Sequence, residues 1–137
     1  MDDGTRFLIL SLEGENYALS VTRLVEITVP RNIQKDAKLG GMYEGKFEYR
    51  GSLIPVLNIK KVFKLSGTPG TTLLVVKSDK GLVGLLVDTV TEVLETGEQP
   101  VPMPQGVVDP GHQYYYGGVL RHKENLVLLL NEDGLLP

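Results

Sequence analysis

The sequence of 137 residues contains no cysteine and no tryptophan, and it has only two histidines. Without cysteine, disulfide scaffolds, thiolate zinc sites and cysteine nucleophiles are excluded. His112 and His122 are expected in polar turns, with a spacing that does not demand a shared metal ion, and neither a phosphate-binding loop nor a nucleophile elbow is present. The sequence therefore predicts no catalytic site, no metal and no cofactor.

The chain also lacks a large excess of charge of one sign, and it lacks long apolar runs. The chain has 14 Lys and Arg against 17 Asp and Glu, with no basic run, so a nucleic-acid partner is not expected. No apolar stretch approaches the roughly 18 residues typical of a membrane span. The beginning of the chain is short and acidic, unlike a targeting segment. These absences predict a cytoplasmic protein without membrane insertion.

The most prominent feature of the sequence is a series of short apolar segments, which are separated by Gly, Pro, Asn or Asp. Their length and composition are typical of strands, and 16 glycines and 8 prolines fit a chain with many turns. The segments are 7–12, 53–59, 71–76, 82–87 and 126–130. Helix is expected only as single turns after Asn58 and after Asn131. An all-β fold with short helical turns is therefore predicted.

The chain also repeats itself at a constant offset, at which Glu26 falls on Glu92. The aligned pairs are 7–10 with 73–76, 17–27 with 83–93, Tyr49 with Tyr115, Gly51 with Gly117 and, after a short insertion, 56–58 with 129–131. We therefore predict two copies of one unit, about 7–65 and 72–137, within a single domain of residues 1–137.

Each copy has the size of a small five-stranded barrel. A unit of about 60 residues buries only about 60% of its chain surface and is marginal alone. The two barrels are therefore expected to share an interface. Leu8, Leu10 and Leu12 alternate with Phe7 and Ile9, so that one face would fill a barrel and the other would cover the neighbouring barrel or a partner.

Three further segments each allow two interpretations. Arg50-Gly51 is either a solvated charge beside a strand bulge or an arginine that binds a carboxylate of a partner. The run 114–116 is either core with a polar rim or an aromatic contact patch, with Tyr115 facing opposite to its neighbours if extended. The proline-rich segment 100–104 is either a stiff crossover or a ligand for a proline-recognising domain.

The order of motifs resembles CheW-like domains, the scaffold modules that join chemoreceptors to the histidine kinase CheA in bacterial and archaeal chemotaxis. The motifs that carry the resemblance are 7–10 followed by 17–27, then Arg50-Gly51-Ser52-Leu53-Ile54-Pro55-Val56, then 83–94. The resemblance implies two SH3-like five-stranded β-barrels, related by internal duplication and exchanging strands, with a groove between them. It covers nearly the whole chain.

The resemblance also implies a function, a non-catalytic adaptor. Its partners would be a CheA-type histidine kinase and the cytoplasmic tip of chemoreceptors, with recruitment to membrane-associated receptor arrays. The partner-binding residues implied by position are Leu24, Glu26, Glu48, Tyr49, Arg50, Gly51 and Val93. The family usually has Asn-Leu where this chain has Glu48-Tyr49, and many such adaptors carry a helical tail beyond the position of Pro137.

Two other classes of function stay open at this point. One is a small-molecule-binding or other regulatory β-barrel module, in which His112, the tyrosine run and the groove would hold a ligand. The other is an enzyme, which the scarcity of acid-base side chains disfavours.

Overall fold

The structure is a computed structural model that describes residues 6–65, 68–96, 99–102 and 110–136, with only the backbone of 110–112. Its strands are β1 (Arg6–Leu12), β2 (Glu15–Ser20), β3 (Leu24–Thr28), β4 (Tyr43–Tyr49), β5 (Ser52–Asn58), β6 (Thr72–Ser78), β7 (Gly81–Val87), β8 (Thr89–Glu95), β9 (Tyr116–His122) and β10 (Asn125–Leu130). The α-helical turns are α1 (Ile59–Val62) and α2 (Glu132–Leu135), and 3₁₀ turns cover Val21–Arg23, Ala37–Leu39 and Pro110–Tyr115. The all-β prediction is confirmed. Among the described helices, none is long and apolar enough to cross a membrane.

Two five-stranded sheets organise the chain. The first sheet has the order β8-β1-β2-β10-β9, and the second sheet has the order β3-β6-β7-β5-β4. The pairs β2–β10 and β5–β7 are parallel, and the other pairs are antiparallel. The β1–β2 hairpin lies between strands from the second half of the chain, and the β6–β7 hairpin lies between strands from the first half. The predicted strand exchange is confirmed.

The internal repeat extends to the bounds of the elements. The offset that carries position 26 onto position 92 moves β1 onto 72–78, the bounds of β6, and it places β2 and β3 on β7 and β8 within one residue. The larger offset that carries position 43 onto position 116 moves β4 onto β9 and α1 onto α2 without any difference in bounds. The limits of the two copies, 7–65 and 72–137, stay a prediction, since each sheet draws strands from both.

One part of the predicted alignment is wrong. Tyr49 corresponds to His122 and Gly51 to Glu124, rather than to Tyr115 and Gly117, because the additional residues of the second copy precede β9, whereas the predicted alignment places them after Gly117. His122 therefore occupies the position equivalent to Tyr49, which is one of the predicted contact residues.

The core lies mainly between the two sheets. Leu8, Leu10 and Leu12 of β1 belong to a cluster that also includes buried leucines and valines of β6 and β7. Phe7 and Ile9 point to the other face and pack with residues of β2, β9 and β10. Strand β1 is therefore buried on both faces. Its leucines contact the second sheet, whereas the alternate side chains pack on strands of its own sheet.

The Arg50-Gly51 pair forms the two-residue loop of the β4–β5 hairpin. Its φ angles are 50° and 84°, as a type I′ turn requires, so Gly51 is favoured by the turn geometry. The interpretation of these residues as neighbours of a bulge is wrong: the register shift in this hairpin lies at Gly45. A side chain at position 50 therefore projects from a hairpin tip.

Candidate partner-binding site

The seven predicted contact residues fall on two sheets. Leu24 and Glu26 lie on β3, Glu48 and Tyr49 lie at the end of β4, Arg50 and Gly51 form the turn that follows, and Val93 lies on β8 of the first sheet. Leu24 is half-buried against the central core, whereas Glu48, Arg50, Gly51 and Val93 are exposed. The structure brings Glu26, Tyr49 and Arg50 into contact.

The Glu26 carboxylate joins these three residues. The Tyr49 hydroxyl donates a hydrogen bond of 2.7 Å to Glu26 Oε1, and Arg50 Nη2 lies 3.3 Å from the same oxygen. The Arg50 Cζ atom lies 5.1 Å from the centroid of the Tyr49 ring, within cation–π range. Since β3 and β4 occupy the two ends of the second sheet, these contacts connect its edges and close it toward a barrel.

This arrangement orders an arginine that is still open to solvent. The Arg50 side chain is 74% exposed. Its hydrogen bond to Glu26 and its contact with the Tyr49 ring restrict the side chain, while the guanidinium carries further N–H donors. The hydrogen bond to Glu26, followed by burial, raises the pKa of Tyr49 above 10.0, so Tyr49 remains a donor. The cluster can therefore present a restrained cation to a carboxylate.

An exposed leucine adjoins this cluster and was missed by sequence reasoning. Leu53 pairs with Glu48 across the β4–β5 hairpin and is 49% exposed. We call Glu26, Glu48, Arg50 and Leu53 the turn surface. The signal that could have found Leu53 is the hairpin register, because a two-residue turn places position 53 opposite position 48.

A second cluster repeats this geometry on the first sheet. His122 Nε2 lies 3.3 Å and Lys123 Nζ lies 3.5 Å from Glu92 Oε2, and these residues correspond to Tyr49, Arg50 and Glu26. Exposed Val93 and Leu126 correspond to Ile27 and Leu53, which are also exposed. Val93 therefore belongs to this equivalent surface and not to the turn surface.

The expected position of His122 is wrong. It lies at the end of β9 and is buried, because it takes the same edge-joining position as Tyr49. The side chain of His112 lies outside the described residues. Among the residues that the structure describes, no group of three or more His, Asp or Glu side chains is placed to hold a metal ion.

The tyrosine run divides between surface and interior. Tyr114 is exposed, whereas the rings of Tyr115 and Tyr116 lie 5.4 and 5.7 Å from that of Phe63. Tyr114 and Tyr115 belong to a 3₁₀ turn, so the alternation expected for an extended run does not occur. Burial raises the pKa of Tyr116 to about 12. The tyrosines that a ligand-binding site would use are thus largely packed on Phe63.

Of the proline-rich segment, residues 99–102 are described and 103–104 lie outside the described residues. Val101 forms an antiparallel bridge with Val119 of β9. The described part thus pairs with the sheet, as expected for a crossover between strands.

Two strand-exchanged sheets of SH3-like architecture, with equivalent charged and apolar surfaces, define the class of a duplicated β-barrel module. Within that class, residues 6–137 match the family model described as "CheW-like domain". The chain therefore belongs to the CheW-like domain family.

Known proteins that resemble the chain agree with this assignment. A "Chemotaxis protein CheW" of Klebsiella aerogenes is 28% identical over 138 residues, which cover 97% of this chain and 82% of that relative. Another "Chemotaxis protein CheW", of Helicobacter pylori, is 23% identical over 135 residues, or 96% and 81% of the two chains. The crystal structure of the scaffolding protein TtCheW from Thermoanaerobacter tengcongensis superposes with a TM-score of 0.84 at 23% identity, covering 96% of this chain and 92% of that one. The structural likeness supports the fold.

Proposed function

We propose that this protein is a non-catalytic adaptor in chemotaxis-type signal transduction, which couples chemoreceptors to a CheA-type histidine kinase. Family membership supports this proposal, as do the relatives named for chemotaxis and the structural neighbour titled a scaffolding protein. Such a role would place the protein in the cytoplasm, recruited to membrane-associated receptor arrays.

The observation that carries the proposal is the restrained, exposed guanidinium of Arg50. An arginine already held by a neighbouring carboxylate and ring loses less conformational freedom when it binds a partner. Interface energy concentrates in a few residues, among which arginine is enriched. Exposed Leu53 adds apolar area beside it, and Glu48 provides a charged rim. The turn surface therefore has the composition of a small protein-binding surface.

Arg50→Glu tests this assignment against purified kinase and a receptor-tip fragment from the same organism. We expect affinity for at least one of them to fall about ten- to a hundredfold, since the substitution reverses the charge that meets the partner. Because the new carboxylate would also face Glu26, Arg50→Ala serves as a second variant, with a smaller loss of affinity and an unchanged thermal midpoint.

The matched control is Lys77→Glu, an exposed position on β6 with the same change of charge. Its affinity for both partners should stay at the wild-type value. Undiminished binding of both Arg50 variants to the kinase and the receptor fragment would contradict the role of the turn surface.

A further inference from the structure

The two halves of the molecule differ at one set of equivalent positions beside the central core. In one half, the ring of Phe63 is surrounded by Tyr17, Tyr115 and Tyr116, with ring centroids 5.4–5.7 Å away. The internal repeat places Val83 at the position of Tyr17 and Leu136 at that of Phe63. It places Met42 at the position of Tyr115 and Tyr43 at that of Tyr116. Three of four aromatic rings are thus replaced by smaller aliphatic side chains.

A pocket of about 150 Å³ is lined by two of these smaller side chains, Val83 and Leu136. Its lining includes Tyr43, Pro55, Leu82, Val83 and Leu136, with Lys80 as its cation. An apolar cavity of about 150 Å³ is large enough to hold one benzene ring. The pocket therefore has room for one phenyl group, the group that Phe63 supplies in the other half.

The polar groups at this pocket favour a negative charge beside the ring. Ser78 Oγ already donates to the Gly81 carbonyl and accepts from the Lys80 N–H. Lys80 is exposed, and within the described part of the chain its ammonium group takes part in no ion pair. The ammonium group is thus available to a carboxylate of a ligand.

We propose that this pocket binds a phenylalanine side chain of a partner polypeptide, with an adjacent acidic residue of that partner meeting Lys80. One ring fills the available volume, so the remainder of the ligand must lie on the surface outside the pocket. A polypeptide that inserts one side chain satisfies this geometry, and its neighbouring carboxylate lies within reach of the rim. The inference does not depend on the turn surface or on the identity of the partner.

Methyl NMR with short peptides tests the proposal on the whole chain. The probe is acetyl-Phe-Glu-amide, and the controls are acetyl-Phe-Lys-amide, acetyl-Ala-Glu-amide and 3-phenylpropionate. We expect saturable shifts of the Val83 and Leu136 methyl signals with the probe, several-fold weaker binding of the lysine peptide, and no saturable shift with the alanine peptide. A probe that causes no saturable shift overturns the site, and tighter binding of 3-phenylpropionate than of the probe overturns its assignment to a polypeptide.

Two variants separate ring binding from charge. Leu136→Phe places in the pocket the residue found at the equivalent position, and it should abolish binding without lowering the thermal midpoint, because the cavity becomes filled. Lys80→Glu changes an exposed side chain and should reverse the preference between the Glu and Lys peptides. If Leu136→Phe proves poorly folded, the Lys80 variant still decides: an unchanged preference contradicts the proposed carboxylate contact.

Discussion

At the scale of single residues, each sheet has a glutamate that joins its two edge strands. Glu26 holds Tyr49 and Arg50, and Glu92 holds His122 and Lys123. The carboxylate is the same in both halves, whereas its partners differ. A carboxylate accepts from any of these donors, so the edge-joining geometry persists although the donor residues have changed.

Glu26→Gln should lower the pKa of Tyr49. The hydrogen bond to the ionised Glu26 is the largest cause that raises this pKa, and a neutral amide is a weaker acceptor for the phenolic proton. NMR of ring-labelled tyrosine, followed through an alkaline titration, measures the change. Glu48→Gln is the control, since Glu48 is exposed and lies on the neighbouring position of β4; an equal shift in both variants would contradict the specific contact.

The resemblance to CheW-like domains predicts Glu26, Tyr49 and Arg50 as site residues. It does not predict the role of Tyr49. Its hydroxyl meets Glu26 only after β3 and β4 come together at the edges of the second sheet. Such a contact between distant segments is absent from local periodicity. The equivalent role of His122 does not follow from the predicted alignment for an additional reason, because that alignment puts the insertion after Gly117 and so pairs Tyr49 with Tyr115.

At the scale of elements, two ion clusters connect the sheets. Lys60 of α1 lies 2.8 Å from Asp88, which links β7 to β8, and 3.1 Å from Glu13 in the β1–β2 turn. At the position equivalent to Lys60, α2 carries Asp133, which lies 2.6 Å from Arg23, the residue after the equivalent of Asp88. In the first cluster, the β1–β2 turn of the first sheet meets α1, which follows β5 of the second sheet. In the second cluster, the residue before β3 of the second sheet meets α2, which follows β10 of the first sheet.

Lys60→Met should lower the free energy of unfolding by about 3 kcal/mol. This value is at the lower end of the range for breaking a buried ion pair, because Glu13 and Asp88 keep some contact with solvent. The Lys60 side chain is 5% exposed, and its removal leaves two carboxylates near each other without their cation. Urea unfolding measures the loss as a lower midpoint at unchanged slope.

The matched control for that variant is Arg23→Met at the more exposed cluster. Its loss of stability should be smaller, since the Arg23 side chain is 38% exposed and water screens its ion pairs. Equal losses in the two variants would contradict the argument from burial.

Acid should destabilise the fold through the same clusters. Burial alone would raise the pKa of Asp88, but the hydrogen bonds from Lys60 and the Glu13 backbone hold it below 3.8. The backbone hydrogen bond from Asp79 and the contact with Arg23 likewise lower the pKa of Asp133. A carboxyl whose pKa is lower in the folded state stabilises the fold above its unfolded value, and that contribution is lost as pH falls.

We therefore expect the thermal midpoint to decrease as pH falls below about 4. Asp88→Asn should have a lower midpoint at neutral pH and a shallower decrease in acid, because one of the responsible carboxyls is gone. Burial raises the pKa of Glu132, which opposes the trend but is a single group. An identical pH profile for wild type and Asp88→Asn would show that Asp88 is not a source of the acid sensitivity.

At the scale of the whole molecule, the internal repeat predicts two barrels but leaves open which hairpin enters which sheet. The β1–β2 and β6–β7 hairpins have similar lengths and a similar apolar character, so either could complete either sheet by pattern alone. The resemblance to the family, rather than periodicity, supplied the expectation of exchanged strands. In the structure each hairpin enters the sheet that contains the last strands of the other half.

Because of this exchange, neither half of the chain contains a complete sheet. The first half supplies β1 and β2 to one sheet and β3, β4 and β5 to the other. Separated from the second half, it would expose the leucines that β1 buries between the sheets. Fragments 1–66 and 67–137 should therefore each lack cooperative unfolding, and an equimolar mixture should recover the circular dichroism and the melting transition of the whole chain. The control is the intact chain refolded at the same concentration. A fragment 1–66 that melts cooperatively as a monomer would mean that its own hairpin completes its sheet, and the exchanged arrangement would then not be required for folding.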